Sequence, residues 1–388
     1  MTSVVDQAKG NGQAQRRVTP FILSRPHLSV QSQGVRDTLD DPHEAARRLR
    51  EGTVPAVVGA LPFDTANPSA LTVPVDLYRQ RRVWQGYPKP SPIPACTVSD
   101  SLPSPARHVE AVETALKRLR APDDPLTKVV LARSLLVRAE APILPTMLVQ
   151  RLVSDDAGNN GFCVDLSPAG ADYRGRTLVG SSPEVLVRRS GRHVTCFPLA
   201  GTAKRESSVD QDAAVAARLA LSVKDLAEHA IVVEGLKSSL GELCDELDVP
   251  EAPSLVQTPA LWHLGTPISG TLRDERTSAL DLALAIHPTA AVCGSPRAEA
   301  AKAIAQIEGD RGFYAGAIGW CDGNGDGEWM VAIRCGEIAA DGLSVRVYAG
   351  GGIVAQSDPL AELAETSAKF ATMLTALGAV EQPVPRTG

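Results

Sequence analysis

Two acidic pairs at helical spacing constrain what this chain can fold into more than any other feature. Asp225 and Glu228 lie in K224-D-L-A-E-H229, and Glu362 and Glu365 lie in A361-E-L-A-E-T-S-A-K369. Residues three apart project from one face of a helix. Either pair alone reads as a solvated face. A fold that brings the two helices together gathers four carboxylates, and like charges at that range need a cation between them. All-oxygen ligands favour a hard one, Mg²⁺ rather than zinc.

A chain of 388 residues can bury a large core. Its 44% apolar and 22% charged residues are ordinary globular values. The net charge of -6 argues against nucleic acid and anionic membranes as partners. No apolar run reaches the roughly 18 residues of a membrane span. The first seventeen residues, M-T-S-V-V-D-Q-A-K-G-N-G-Q-A-Q-R-R, lack a hydrophobic signal core, so 1–18 reads as a disordered tail. Seven scattered cysteines without a C-x-x-C fit a reducing cytoplasm and offer no zinc site. No heptad pattern demands a partner, which makes a monomer the expectation.

Strands and helices mix without a regular βαβ repeat, which predicts an α+β fold. The pattern predicts helices over 39–50, 104–120 and 144–153 and strands over 57–62, 128–138, 161–166, 177–180 and 185–197. Tyr87–Pro94 holds four prolines and is a connector. Residues 208–247 read as a long helical stretch that restarts at Ser222, where S-V-K-D has the form of a capping box. Ile318–Arg334 reads as two strands around a glycine-rich turn, and Ser344–Ala349 as another strand. A last helix starts at Asp358-Pro359, with Leu360, Leu363, Phe370, Leu374 and Leu377 as its core stripe.

Several short patterns carry little. D322-G-N-G-D-G327 matches half of a calcium loop, but the glutamate required six residues after its glycine is Ile333, so a hairpin turn is the better reading. G350-G-G352-I-V-A355 fits a dinucleotide fingerprint, but too little chain follows for a βαβ unit. Its glycines can still let a carboxylate approach backbone N–H groups. His229 and His263 are open between structural and catalytic roles.

Ten ordered segments carry a stronger signal. The first three are K128-V-V-L-A-R, S182-P-E184 and the run P-L-A-G-T-A-K from Pro198 to Lys204. K224-D-L-A-E-H, L261-W-H-L-G-T-P and H287-P-T-A-A-V-C-G-S-P follow. The last four are G316-A-I-G-W-C-D, G327-E-W-M-V-A-I-R-C, A349-G-G-G-I-V and A364-E-T-S-A-K369. Together they resemble the chorismate-utilising enzymes, most nearly the isochorismate synthases of the catechol-siderophore type. The likeness spans 105–378, with 19–104 as a looser N-terminal part of the same fold and 379–388 as a tail. It implies one α+β domain in which two antiparallel sheets pack together, helices lie outside, and a cleft holds the active site. It also implies chorismate as substrate and Mg²⁺ as cofactor. Glu228 and Glu365 would bind the metal directly, and Asp225 and Glu362 through its water.

The implied reaction moves a hydroxyl. Water adds at C2 of chorismate while the C4 hydroxyl leaves, so a base must activate the water and an acid must protonate the leaving group. By resemblance Lys128 is the base and Glu184 the acid. Arg334, on a strand after the hairpin, would grip the enolpyruvyl carboxylate, with Lys369 adding positive charge. Gly201, Thr202 and Gly350 would supply donors, and His263 would assist positioning. Without the flanking motifs, Lys128 could equally cap a strand, Glu184 sit on an exposed turn, and Arg334 and Lys369 form surface ion pairs. Within the resembled family, lysine at 128 points to water rather than ammonia as nucleophile. Ala200 removes the lysine nucleophile of aminodeoxychorismate synthases. Salicylate synthases have a threonine where this chain has Ala291, and Ala291 with Val292 favours stopping at isochorismate. Tyr314 follows the salicylate enzymes instead and keeps that alternative open, as does a non-catalytic chorismate- or metal-binding relative. The product would feed siderophore, salicylate or menaquinone synthesis.

Overall fold

The structure, a computed structural model, describes residues 19–86, 92–156, 158–258 and 261–379. The 1–18 tail, residues 380–388 of the C-terminal tail and residues 87–91 of the proline connector lie outside the described residues. Eight helices are found among the described residues: α1 (Pro42–Arg50), α2 (Pro105–Leu119), α3 (Pro145–Asp155), α4 (Val209–Ala220), α5 (Val223–Gly241), α6 (Ala279–Ile286), α7 (Arg297–Ile307) and α8 (Pro359–Leu377).

Every strand pairing is antiparallel. One ladder starts at Cys96–Leu102 and passes through Lys128–Ala139, Ser344–Ile353, Cys335–Ile338, Thr177–Gly180, Gly161–Asp165 and Phe21–Ser24. The hairpin of Phe21–Ser24 with Ser29–Leu39 carries it into a second half. That half runs through Ala70–Gln80, Ala56–Leu61, Ala317–Asp322, Gly327–Val331 and Val185–Ser190, and ends on His193–Phe197, Ile268–Leu272 and Cys244–Asp248. The two halves share one core. Leu131, Phe162, Val164 and Leu178 of the first meet Val58, Leu71, Val187, Ile318 and Trp329 of the second. Strand side chains alternate between faces, so the neighbours Cys163 and Val179 point the other way. They build a second core with Leu148 and Leu152 of α3 and Phe370 and Met373 of α8. This is the expected α+β arrangement of two packed antiparallel sheets with helices outside, the sheets being joined edge to edge through one hairpin. A small separate sheet pairs Leu199–Lys204 with Leu261–Gly265 and Ser254–Gln257.

Several expectations need correction. The 208–247 stretch is two helices and a strand: α4 ends at Ala220, α5 starts after Ser222, and Cys244–Asp248 pairs in the ladder. The restart is capped as expected, with the Ser222 hydroxyl accepting from the Asp225 N–H at 3.3 Å. Residues 185–197 form a hairpin rather than one strand. Leu39 ends a strand instead of opening a helix, because Asp41 caps α1 and Pro42 occupies its first position. In α8 the buried face is Glu362, Thr366, Phe370, Met373 and Leu377, while Leu360 is 67% exposed. The spacing is helical, but a choice of leucines alone hides that a glutamate and a threonine begin the stripe.

Candidate active site

Each acidic pair sits at the head of an otherwise apolar helix face. In α5, Glu228 continues the buried row Val232, Leu236 and Leu240. In α8, Glu362 continues the row through Thr366 and Phe370. Packing these rows on the sheet therefore carries the carboxylates inward. They converge on the glycine run of Ser344–Ile353, a strand that extends past the expected Ala349. A Cβ on Gly351 would lie 3.3 Å from Glu362 Oε2 and 3.8 Å from Glu365 Oε1, and one on Gly352 would lie 2.1 Å from Glu228 Oε1. The glycines are needed because the carboxylates take that space. Gly201, at φ 80°, lies under the start of α5, where its Cβ would meet Asp225 Cβ at 3.1 Å.

The charges that offset this cluster are lysines. Lys128 Nζ is 3.0 Å from Glu228 Oε1, Lys224 Nζ donates to Glu362 Oε1 at 2.8 Å, and Lys369 Nζ donates to Glu365 Oε1 at 2.5 Å. Burial raises the Asp225 carboxyl, and burial with the nearby Glu365 raises that of Glu362. As placed, the four acids do not close into one coordination shell, and among the described residues no group of three or more His, Cys, Asp or Glu side chains is arranged around a common metal position. The donor set nonetheless suits a hard cation: it is all oxygen, it gathers over a glycine cradle, and Glu362 Oε2 is buried without a hydrogen-bond partner.

Beside the cluster lies a cavity. Glu184, Thr202, His263, Ala291, Val292, Tyr314, Arg334, Gly350 and Lys369 all line it. Lys128 opens the strand Lys128–Ala139, is 0% exposed and stands behind the cavity wall, its Cε 3.0 Å from where a Gly352 Cβ would be. Gly201 supports α5 rather than lining the cavity. Its left-handed backbone marks a register shift between Ala200 and Thr202 that sets Thr202 opposite His263. The Thr202 hydroxyl and His263 Nδ1 are then 3.2 Å apart.

Burial sets the protonation of the cavity groups. Glu184 is pushed up to about 8 by desolvation, against the opposing pull of the Lys128 charge. The carboxyl is therefore neutral at neutral pH. His263 is held well below its usual value by burial and by Arg334 and Lys369, so it is neutral too, with Nε2 unpartnered. Burial lowers Arg334 to about 10, which leaves it charged. Arg334 is not on a strand as expected. It has φ 51° and sits between Gly327–Val331 and Cys335–Ile338, a left-handed position that turns it out of the sheet into the cavity. Lys369 also donates to the Gly350 carbonyl at 2.9 Å, which ties α8 to the cavity floor. His229 differs from His263: Nδ1 meets the Ala200 carbonyl at 3.2 Å and Nε2 the Thr266 hydroxyl at 2.7 Å, so both nitrogens are used within the core.

Sequence reasoning missed Lys224 and Tyr348. Lys224 lies inside the quoted K-D-L-A-E-H motif, where a cation next to an acidic pair is the available signal. Tyr348 stacks on Tyr314 with centroids 4.9 Å apart and planes within 10°. It lies two residues before Gly350 on one strand, so period two places both on the same face.

Known proteins resemble this chain in sequence and fold. Residues 75–378 match the family model described as chorismate binding enzyme. A Mycobacterium tuberculosis protein assigned the name isochorismate synthase MenF is 49% identical over 363 residues, 94% of this chain and 97% of its own length. Isochorismate synthase DhbC of Bacillus subtilis is 40% identical, covering 92% of this chain and 93% of its own. The crystal structure of Bacillus anthracis DhbC, assigned as a 2,3-dihydroxybenzoate-specific isochorismate synthase, superposes with a TM-score of 0.85 at 39% identity, over 93% of this chain and 96% of that one. With a family match over most of its length and relatives this similar end to end, the chain belongs to the chorismate-binding enzymes.

Proposed function

We propose that this chain is an isochorismate synthase, an Mg²⁺-dependent isomerase that converts chorismate to isochorismate. The observation that carries the reading is Glu184: a buried carboxyl, its pKa pushed up to about 8 by desolvation, facing a cavity backed by a buried lysine. A neutral carboxylic acid can give a proton to the departing C4 hydroxyl, and Lys128, once its ammonium has released a proton to become the free amine, takes one from the water that adds at C2. Each positioned transfer is worth roughly 10²–10⁴-fold. Arg334 binds the enolpyruvyl carboxylate, because it carries a buried charge into the cavity. Neutral His263 with Thr202 orients the ring hydroxyls, Gly350 and Lys369 hold the floor, and Gly201 keeps α5 in place.

Glu228 and Glu365 would hold Mg²⁺ directly, with Asp225 and Glu362 around its water. When bound, the ion supplies charge neutralisation and orientation for the ring carboxylate. Residues 19–378 work as one catalytic unit. We place it in the cytoplasm as a monomer. All seven cysteines are free and buried, which suits a reducing compartment, and among the described residues no helix is long and apolar enough to cross a membrane. Its product would supply 2,3-dihydroxybenzoate siderophore, salicylate or menaquinone synthesis.

Tyr314 favours a second reading, in which pyruvate elimination follows to give salicylate. Ala291 and Val292 on the same cavity wall favour stopping earlier. Incubation with chorismate and Mg²⁺, with and without EDTA, followed by chromatography separates the two: isochorismate supports the first, salicylate with pyruvate the second, and EDTA-sensitive binding without turnover overturns both.

A further inference from the structure

The Ser181–Glu184 loop carries the proposed proton donor, yet it is a thin wall. Pro183 and Glu184 face the catalytic cavity, while Ser181 and Pro183 face a neighbouring cavity of about 190 Å³ that also reaches Asn160 and Arg334. The loop is buried, but with a cavity on each side its position depends on hydrogen bonds as well as on packing. Ser181 N–H donates to the Arg334 carbonyl at 3.0 Å, Val331 N–H donates to the Glu184 carbonyl at 3.1 Å, and Glu184 N–H donates to the Ser182 hydroxyl at 3.3 Å.

A buried ion pair supplies a further tie. Arg25 lies on the turn that joins Phe21–Ser24 to Ser29–Leu39, the hairpin linking the two sheets. Its Nη1 donates to the Ser182 carbonyl at 3.5 Å and to Asn160 Oδ1. Its Nε lies 2.9 Å from Glu328 Oε1, a charge contact rather than an aligned hydrogen bond. Glu328 is 1% exposed and belongs to the strand that carries Val331. Its other oxygen faces His27 at 3.4 Å and Arg188 at 3.8 Å from the surface side. Burial raises the Glu328 carboxyl, but His27, Arg25 and Arg188 outweigh it and keep the group ionised. One guanidinium thus spans the donor loop, the Asn160 segment and the strand beneath, and neither charge lines the catalytic cavity.

We propose that Arg25 and Glu328 are positioning residues for the proton donor: their buried pair fixes the Ser181–Glu184 loop so that the Glu184 carboxyl stays dry and aimed into the catalytic cavity. This rests on the reading of Glu184 as the acid. A planar fork suits the task because it reaches the carboxylate with one nitrogen and the loop carbonyl with another, which lysine cannot do. Loosening the loop lets water reach Glu184, and a solvated carboxyl loses its proton at lower pH.

The test measures isochorismate formation from chorismate with Mg²⁺ across pH for the full chain and for Arg25→Met, Arg25→Lys, Glu328→Gln and Glu184→Gln. Arg25→Met and Glu328→Gln are expected to lower kcat at least about 10-fold, with KM for chorismate within about 2-fold. Their alkaline limb should move to lower pH, a change that mere loss of folded protein does not produce. Arg25→Lys should shift both readouts in the same direction by less, and it replaces Arg25→Met if that variant does not fold. Wild-type kcat and an unmoved limb in the folded variants overturn the inference, while an inactive Glu184→Gln leaves the reading of Glu184 standing. Turnover by Glu184→Gln overturns that reading itself.

Discussion

Glu184 gains its chemistry from burial alone. A folded-state value of about 8 against an ordinary 4.5 means that the native state holds this proton more tightly than the unfolded chain. Stability from this group is complete below about pH 4.5 and is lost as pH rises toward about 8. The melting temperature of the wild type relative to Glu184→Gln should therefore fall across that window, and a flat difference contradicts a raised value. Glu184→Gln should also lose about 10²–10⁴-fold in turnover while keeping its fold by circular dichroism. Gly352→Ala tests the cradle: its Cβ would enter the space of Glu228 Oε1, so a loss of about 10²-fold in turnover is expected. Residue identity made much of this site legible, because Lys128, Glu184 and the acidic pairs were visible in motifs. Lys369 beside Glu365 was legible from its four-residue spacing, but the pairs Lys128–Glu228 and Lys224–Glu362 were not, since spacing along the chain says nothing about which ammonium meets which carboxylate across a fold. The left-handed turn at Arg334 was also hidden, as nothing in M-V-A-I-R marks where the strand stops.

At the scale of elements, α5 and α8 do the gathering. Each lays an apolar row on the core and leaves its first turns, with their acids, over the glycine strand. Phe370, fully buried at the middle of the α8 row beneath Arg133, anchors that arrangement. Phe370→Ala should cost about 3–5 kcal/mol of stability and lower Mg²⁺-dependent turnover with it, because α8 then sits less firmly over Gly351. Urea denaturation measures the first effect, and a loss under about 1 kcal/mol contradicts the packing described here. Helix starts were legible from Ser222 and Asp358-Pro359, whose capping chemistry is local. The end of α5 was not. Gly241 is its last residue and Glu242 caps it, but the apolar residues that follow serve a strand whose partner, Ile268–Leu272, is distant in sequence.

For the whole molecule, the antiparallel ladder explains why the site residues are so scattered. Lys128, Glu184, Arg334 and Gly350 come from different strands and the turns beside them, and only the doubling of the sheet brings the last three around one cavity with Lys128 behind its wall. The α+β class could be read from the irregular mixture of elements; the joining of both sheets through the Arg25 hairpin could not, because register depends on pairing rather than on composition. Glu228→Gln and Glu365→Gln should each abolish Mg²⁺-dependent turnover, and full activity in both would return the acidic pairs to ordinary solvated faces. The most direct test of the account follows the oxygen. Chorismate converted in ¹⁸O-labelled water with Mg²⁺ should give isochorismate carrying one labelled oxygen at C2, by mass spectrometry. Isochorismate without label there would mean that no water adds at C2, and the roles given to Lys128 and Glu184 would fall together.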